Sequence, residues 1–330
     1  MKMKFVKTAS LAVLVLALVY SVAMFAGCKS DSTTAAAPTA KRTMVSDFRT
    51  DTDYTFIHGN TSPDGTKLYV ALNDLDASAN GGETSLMAGK VSVYLLDIDD
   101  VKAGTVTASS IIAQNQITGM ATAAGTIAFR SSYTPDGTKI VQSGKDRVLV
   151  LNATTLAPLN GTAGVTAIGG GSTSFENHDA LTIDNDYALL ALQSKITTSA
   201  GVAALVLYDL NTNATIGSAT NMCTPCHTWD SGAKSHFMCG IDGKLTKSGT
   251  TYTGDIYVAS TGGGHIVKVP LTIDPANTTT PIVVGTTVKK QISDSEGGTT
   301  ADIIPNFHDV RFDDATDRVY YSAIKTDSTT

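Results

Sequence analysis

The feature that most constrains this chain is that it repeats itself. FIHGNTSPDGTKLYVAL at 56–72 returns as FRSSYTPDGTKIVQSG at 129–144. Weaker copies are NHDALTIDNDYALLALQ from 177, SHFMCGIDGKL from 235 and NFHDVRFDDATDRVYYSAI from 306. Each copy reads as a short strand, a turn around Asp-Gly or its equivalent, and a second, alternating strand. Four copies are followed by a third strand: KVSVYLLDI, DRVLVLNAT, AALVLYDLN and HIVKVPLTI. The turn aspartates Asp64, Asp136, Asp184, Asp242 and Asp314 are 72, 48, 58 and 72 residues apart, room for one four-stranded sheet per copy. A repeated four-stranded unit is the signature of a β-propeller, so the fold class expected is all-β with about five recognisable blades.

The SPDGTKLYV and TPDGTKI signatures resemble the repeats of YVTN-type β-propellers, over about 43–325. That resemblance implies a fold and almost nothing about function. The fifth copy stops after its second strand, at VYYSAI. The expectation is therefore that this chain is a fragment of a larger ring; the alternative is that residues 43–57 complete the last blade.

The N-terminus carries Lys2, Lys4 and Lys7, then an apolar run from Leu11 to Phe25, ending at Phe25-Ala26-Gly27-Cys28. A run this short with small residues at its end reads as a signal peptide over 1–27. Its last residues resemble a lipoprotein lipobox, with Phe25 in place of the usual Leu. The resemblance implies lipidation of Cys28, which would anchor the chain to a membrane without spanning it. Residues 28–42 are small and polar, a flexible tether. Lys29 after the lipidated cysteine points toward an outer membrane, on its periplasmic or cell-surface side. Without the three signal lysines the chain keeps 21 basic against 30 acidic side chains, a net −9, and has no basic run. Nucleic acid is a poor partner for such a surface.

Three of the four cysteines lie in NMCTPCHTWDSGAKSHFMCG at 221–240. Cys223-Thr-Pro-Cys226-His227 is a C-x-x-C-H motif. Two thiols at this spacing can reach the two vinyl groups of one haem, with the adjacent imidazole as iron ligand. The stretch resembles the haem attachment site of c-type cytochromes. It implies one haem c, thioethers at Cys223 and Cys226, His227 as proximal ligand, and an insertion at about 213–240. Covalent haem requires export, which the signal provides. His236 or Met238 is the candidate distal ligand; Met222 is too close to the attachment point. Competing readings are a zinc site of Cys223, Cys226, His236 and Cys239, and a disulfide.

His58, His178, His236 and His308 each precede the turn aspartate by six residues, with Arg130 in the same slot of the second copy. That slot falls on the innermost strand, near the axis. His58, His178 and His308 are therefore a candidate metal cluster. The alternative is that each bonds to the neighbouring blade, and Arg130, which is no metal ligand, favours it. The glycine-rich stretches TGGGHIV and AIGGGSTS lack the context of a phosphate cradle, and no hydrolase motif is present. The function expected is an exported monohaem electron carrier whose partners are other redox proteins. A redox enzyme using the axial histidines and a zinc-holding binding propeller are the alternatives.

Overall fold

The computed structural model describes residues 54–75, 86–117, 128–144, 147–159, 165–167, 175–194, 203–223, 237–261, 265–291 and 306–324. The chain divides into two units, 1–42 and 43–330. Residues 1–42, in which the sequence leads one to expect a signal and a tether with Cys28, make up the first unit and lie outside the described residues.

The second unit is a β-propeller built of consecutive antiparallel sheets. Blade 1 is β1 (Tyr54–Thr61), β2 (Lys67–Leu75), β3 (Leu86–Asp97) and β4 (Ile111–Ile117). A one-and-a-half-turn helix, α1 (Ile98–Ala103), links β3 to β4. Blade 2 is β5 (Ala128–Tyr133), β6 (Lys139–Gly144), β7 (Arg147–Asn152) and β8 (Val165–Ala167). Blade 3 is β9 (Phe175–Thr182), β10 (Tyr187–Ser194), β11 (Ala203–Asp209) and β12 (Ala214–Cys223). Blade 4 is β13 (Phe237–Ser248), β14 (Thr251–Thr261) and β15 (His265–Ile273). The edge of β15 is shared by β16 (Ile282–Val284) and β17 (Val288–Gln291). Blade 5 shows β18 (Asn306–Asp313) and β19 (Arg318–Ile324) among the described residues.

The first strand of each blade packs beside the first strand of the next, in the order β1, β5, β9, β13, β18. These strands line the axis. Because every pairing is antiparallel, the strands alternate in direction within each blade, so β12 ends on the side of blade 3 where β9 begins.

Both faces of the sheets of blades 2, 3 and 4 are apolar because each is covered by a neighbouring blade. In β10, Leu189 and Ala191 join Ile256, Val258, Val267 and Val269 of blade 4. Ala188, Leu190 and Leu192, alternating with them, join Val141, Val148 and Val150 of blade 2. That is why YALLALQ reads as a continuous apolar run, without the alternation of a strand with one wet face. A similar layer joins Tyr69, Val91, Val93 and Leu95 of blade 1 to Ile140, Leu149 and Leu151 of blade 2.

The first two turns form as their sequences predict. Asp64 Oδ1 accepts from Ser62 Oγ at 2.5 Å and from the Thr66 N–H at 3.1 Å. Asp136 repeats this with Thr134 Oγ1 at 2.7 Å and the Thr138 N–H at 3.0 Å. Gly65 and Gly137 follow at φ +70° and +69°, a region open to glycine at little cost. In blade 3, Asp184 caps the Asp186 and Tyr187 N–H groups.

Two turn assignments are corrected. Asp242-Gly243 is not a turn: it lies inside β13, paired with Tyr257 and Ile256, and the chain reverses instead at Gly249-Thr250. Gly243 is there because the strands cross closely; a Cβ on it would sit 2.3 Å from Asp255 O. In blade 5 the capping carboxylate is Asp313, which accepts from the Ala315 N–H at 3.0 Å, while Asp314 reaches Lys244.

Candidate functional site

The C-x-x-C-H segment lies on the crossover from the outermost strand of blade 3 to the innermost strand of blade 4. Cys223 is the last residue of β12, where it pairs with Ala203. Cys226, His227, Trp229 and His236 fall in 224–236, outside the described residues. Of the segment 213–240, residues 214–223 belong to β12 and 237–240 to β13. Met222 is 6% exposed and packs into the core between blades 3 and 4, which removes it as an iron ligand. Met238 lies on β13 opposite Ser260, and His265 opens β15 against Ser260 and Gln291.

The strand leading into the crossover is held from outside. Gly217, at φ +67°, lies against Pro281; a Cβ there would sit 2.5 Å from the proline Cδ. Further along β12, Thr220 Oγ1 donates to Ile282 O at 3.5 Å. Blade 4 thus braces the outer strand of blade 3 a few residues before Cys223.

At the axis, the innermost strands share an irregularity. β9 bulges at His178 and β18 at His308, and β5 is irregular across Phe129 and Arg130. In β1 the bulge falls at Ile57, next to His58. In β13 it falls at Cys239, so the position equivalent to His178 is three residues beyond His236. The fourfold histidine register is therefore broken in blade 4, because Asp242 is not the turn residue that defined it there. His178 is buried, and its carbonyl accepts from Ser143 Oγ of blade 2 at 3.2 Å. The side chains of His58 and His308 lie outside the described residues. Among the described residues, no group of three His, Cys, Asp or Glu side chains is placed to hold a metal.

What the described axial residues do form is a charge network. Arg130 of blade 2 reaches across the axis to Asp309 of blade 5, Nε to Oδ1 at 3.3 Å. Arg311 approaches the other oxygen of Asp309 at 3.6 Å. Asp179 of blade 3 accepts from the Ile241 N–H of blade 4 at 2.8 Å. Asp242 of blade 4 in turn accepts from the Phe312 N–H of blade 5 at 2.9 Å. Each carboxylate stitches its own blade to the next.

Arg130 is held at its backbone. Gln142 Nε2 donates to its carbonyl at 2.9 Å, while Gln142 Oε1 accepts from Tyr69 OH at 3.1 Å. Ser143 Oγ accepts from the Arg130 N–H and donates to its carbonyl.

The network has three carboxyl groups and two guanidiniums. Burial pushes the Asp179 carboxyl up to about 7; Arg130 and Arg311 pull it down and Asp309 pushes it back up. Burial also raises Asp242, against the Phe312 N–H and Arg311. Burial works against the Arg311 cation, and Asp179, Asp309 and Asp242 more than offset it. Such a network ties blades together and leaves one carboxyl more than it has cations to pair.

Asp179, Asp309 and Arg311 are functional-looking residues that reading by motif does not find. The available signal was the His-Asp step at 178–179 and again at 308–309, an acid repeated on an innermost strand.

No protein-family model and no curated protein matches the chain. Among solved structures, it is similar to the Cps50 (Swd1) β-propeller domain of Myceliophthora thermophila, at 12% identity and a TM-score of 0.42. That match covers 82% of this chain and 64% of the other, so the chain spans less than two thirds of that domain. The C-terminal WD40 domain of Sif2 matches at 11% identity and a TM-score of 0.30, over 82% of this chain and 79% of that one. Kuenenia stuttgartiensis hydrazine synthase matches at 12% identity and 0.39, over 84% and 76%. None of these assigns a function to a residue of this chain.

Proposed function

We propose that this β-propeller is an exported, lipid-anchored c-type cytochrome that carries electrons at the periplasmic or outer-membrane surface. The observation that carries the reading is the Cys223-x-x-Cys226-His227 motif between β12 and β13, in a chain whose N-terminal residues read as an export signal. The donor set fits the group: two thiols for thioether bonds and an imidazole for iron, with His236 or Met238 to complete it. When bound, haem would supply one-electron exchange between iron(II) and iron(III).

The scaffold's part is to hold the attachment segment without giving up core. The described ladder of β12 reaches Cys223 and that of β13 begins at Phe237. Gly217 and Thr220 fix the end of β12 against blade 4. The axis favours a carrier over an enzyme that binds substrate there, because Arg130 and Asp309 are already paired across it.

The test is a pyridine haemochrome assay on protein exported by a host competent for cytochrome c maturation. Haem should survive denaturation, and the double variant Cys223→Ala/Cys226→Ala should lose it while still folding. A colourless wild-type product containing zinc would replace this reading with the structural-zinc one.

A further inference from the structure

Asp309 takes both guanidiniums of the axial network, Arg130 at 3.3 Å and Arg311 at 3.6 Å. Asp179 has backbone donors only. Its Oδ1 accepts from the Ala180 N–H and its Oδ2, across the seam between blades 3 and 4, from the Ile241 N–H, each at 2.8 Å. The residue is 1% exposed and, among the described residues, forms no ion pair.

The strands fix this arrangement. Asp179, Gly240 and Asp309 each directly follow the bulge of their own strand, β9, β13 and β18. On β13 the position is glycine because Asp309 fills the space beside it: a Cβ there would lie 3.0 Å from Asp309 Oδ1 and 3.2 Å from its Cα. Arg130 is anchored at its backbone by Gln142 and Ser143, so turning its guanidinium to Asp179 would take it from Asp309.

The charges that act on Asp179 are Arg130 of β5 and Asp309 and Arg311 of β18. β13 brings Asp242, whose Oδ2 accepts from the Phe312 N–H. β6 and β10 carry Lys139 and Tyr187 at their turn ends, and Lys139 is bonded there to Asn185. β7 begins at Arg147, whose carbonyl accepts from Asn177 Nδ2. Glu176 and His178 precede Asp179 on β9; among the described residues no metal-binding group includes His178. A buried carboxylate without a cation of its own is costly, and the same group carrying a proton is much less so. Protonated, Asp179 still offers Ile241 an acceptor oxygen in a dry seam. Ionised, it gains most from water, which reaches it when β9 and β13 part.

We propose that Asp179 is a proton-operated clasp on the seam between β9 and β13, closed while it holds its proton and opening to water when it gives the proton up. Burial pushes the carboxyl of the closed form up to about 7, and in an open, hydrated seam it returns to the ordinary 3.8. The closed form therefore binds the proton more tightly. Opening is rarest below pH 3.8, grows by up to about tenfold per pH unit toward about 7, and levels off above it.

The test is hydrogen exchange of the Ile241 amide in the full chain, each rate divided by that of an unstructured peptide at the same pH. From pH 5 to pH 7 wild-type protection should fall at least about tenfold. In Asp179→Asn, which keeps an acceptor oxygen and has no proton to lose, it should change by less than about threefold. At pH 7, sub-denaturing urea should leave the Ile241 rate nearly unchanged while accelerating exchange at Val93, in the core of blade 1. Wild type alone can overturn the proposal: protection that does not vary with pH means that Asp179 gives up no proton in this range. A rate as sensitive to urea as that of Val93 means that Ile241 exchanges only by global unfolding, which also refutes the clasp. If Asp179→Asn keeps the wild-type pH dependence, the proton belongs to another group, Asp242 first, and the assignment to Asp179 fails.

Discussion

Asp179 should make the protein less stable as pH rises toward neutrality, the opposite of an ordinary salt-bridged aspartate. The ordinary carboxyl value is 3.8 and burial pushes this one up to about 7 in the folded chain. Between those limits the folded state binds more protons than the unfolded state, so unfolding free energy falls as pH rises and the loss is complete above about 7. Roughly three pH units at ~1.4 kcal/mol each put the loss at ~4 kcal/mol. Asp179→Asn carries no proton yet keeps an oxygen to accept the Ile241 N–H now bonded at 2.8 Å. Urea denaturation of both proteins from pH 4 to pH 8 reads the effect, because titrations away from the axial network are shared. The variant's stability relative to wild type should rise by about 4 kcal/mol across that range. If Arg130 and Arg311 instead hold Asp179 ionised, the variant loses ground as pH rises. That sign, or a difference that does not change with pH, refutes the argument from burial.

Arg130→Met should destabilise the propeller by ~2–4 kcal/mol, since it leaves Asp309 without its cross-axis partner; chemical denaturation reads this, and metal content should not change. Gly217→Ala should cost ~1–3 kcal/mol, because its positive φ and the Pro281 ring leave no room for a Cβ; a change under about 0.5 kcal/mol would mean that β12 is not braced there. His178→Ala should cost ~1–3 kcal/mol for a buried polar side chain, with elemental analysis unchanged; stoichiometric copper or iron beyond any haem iron, lost in this variant, would favour the redox-enzyme reading over the proposed carrier. If His236 is the distal ligand, His236→Ala should convert a low-spin haem spectrum to high-spin and Met238→Leu should not; the reverse result gives the role to Met238.

The repeat by itself determined the architecture. A unit with one Asp-Gly turn and three or four short strands can bury two apolar faces only by stacking against copies of itself. The second strands, read as alternating, are instead covered on both faces in the middle blades, as the continuous apolar run of YALLALQ shows once its two neighbours are in place. The C-x-x-C-H motif is written in five consecutive residues, so the haem proposal can be made from sequence alone. What the sequence misassigned was Asp242-Gly243, and the reason is physical. The same dipeptide serves a turn, through the backbone freedom of glycine, or a close strand crossing, through the missing Cβ. Only the pairing of β13 with β14 decides between them. The histidine register in blade 4 fell with it, because it was counted from that aspartate. The axial network was not readable at all. Arg130 and Asp309 are 179 residues apart in the chain, and they meet because the innermost strands of blades 2 and 5 face one axis. Likewise the raised Asp179 carboxyl follows from burial among groups contributed by blades 2, 4 and 5, a property of the assembled axis that no single copy of the repeat contains.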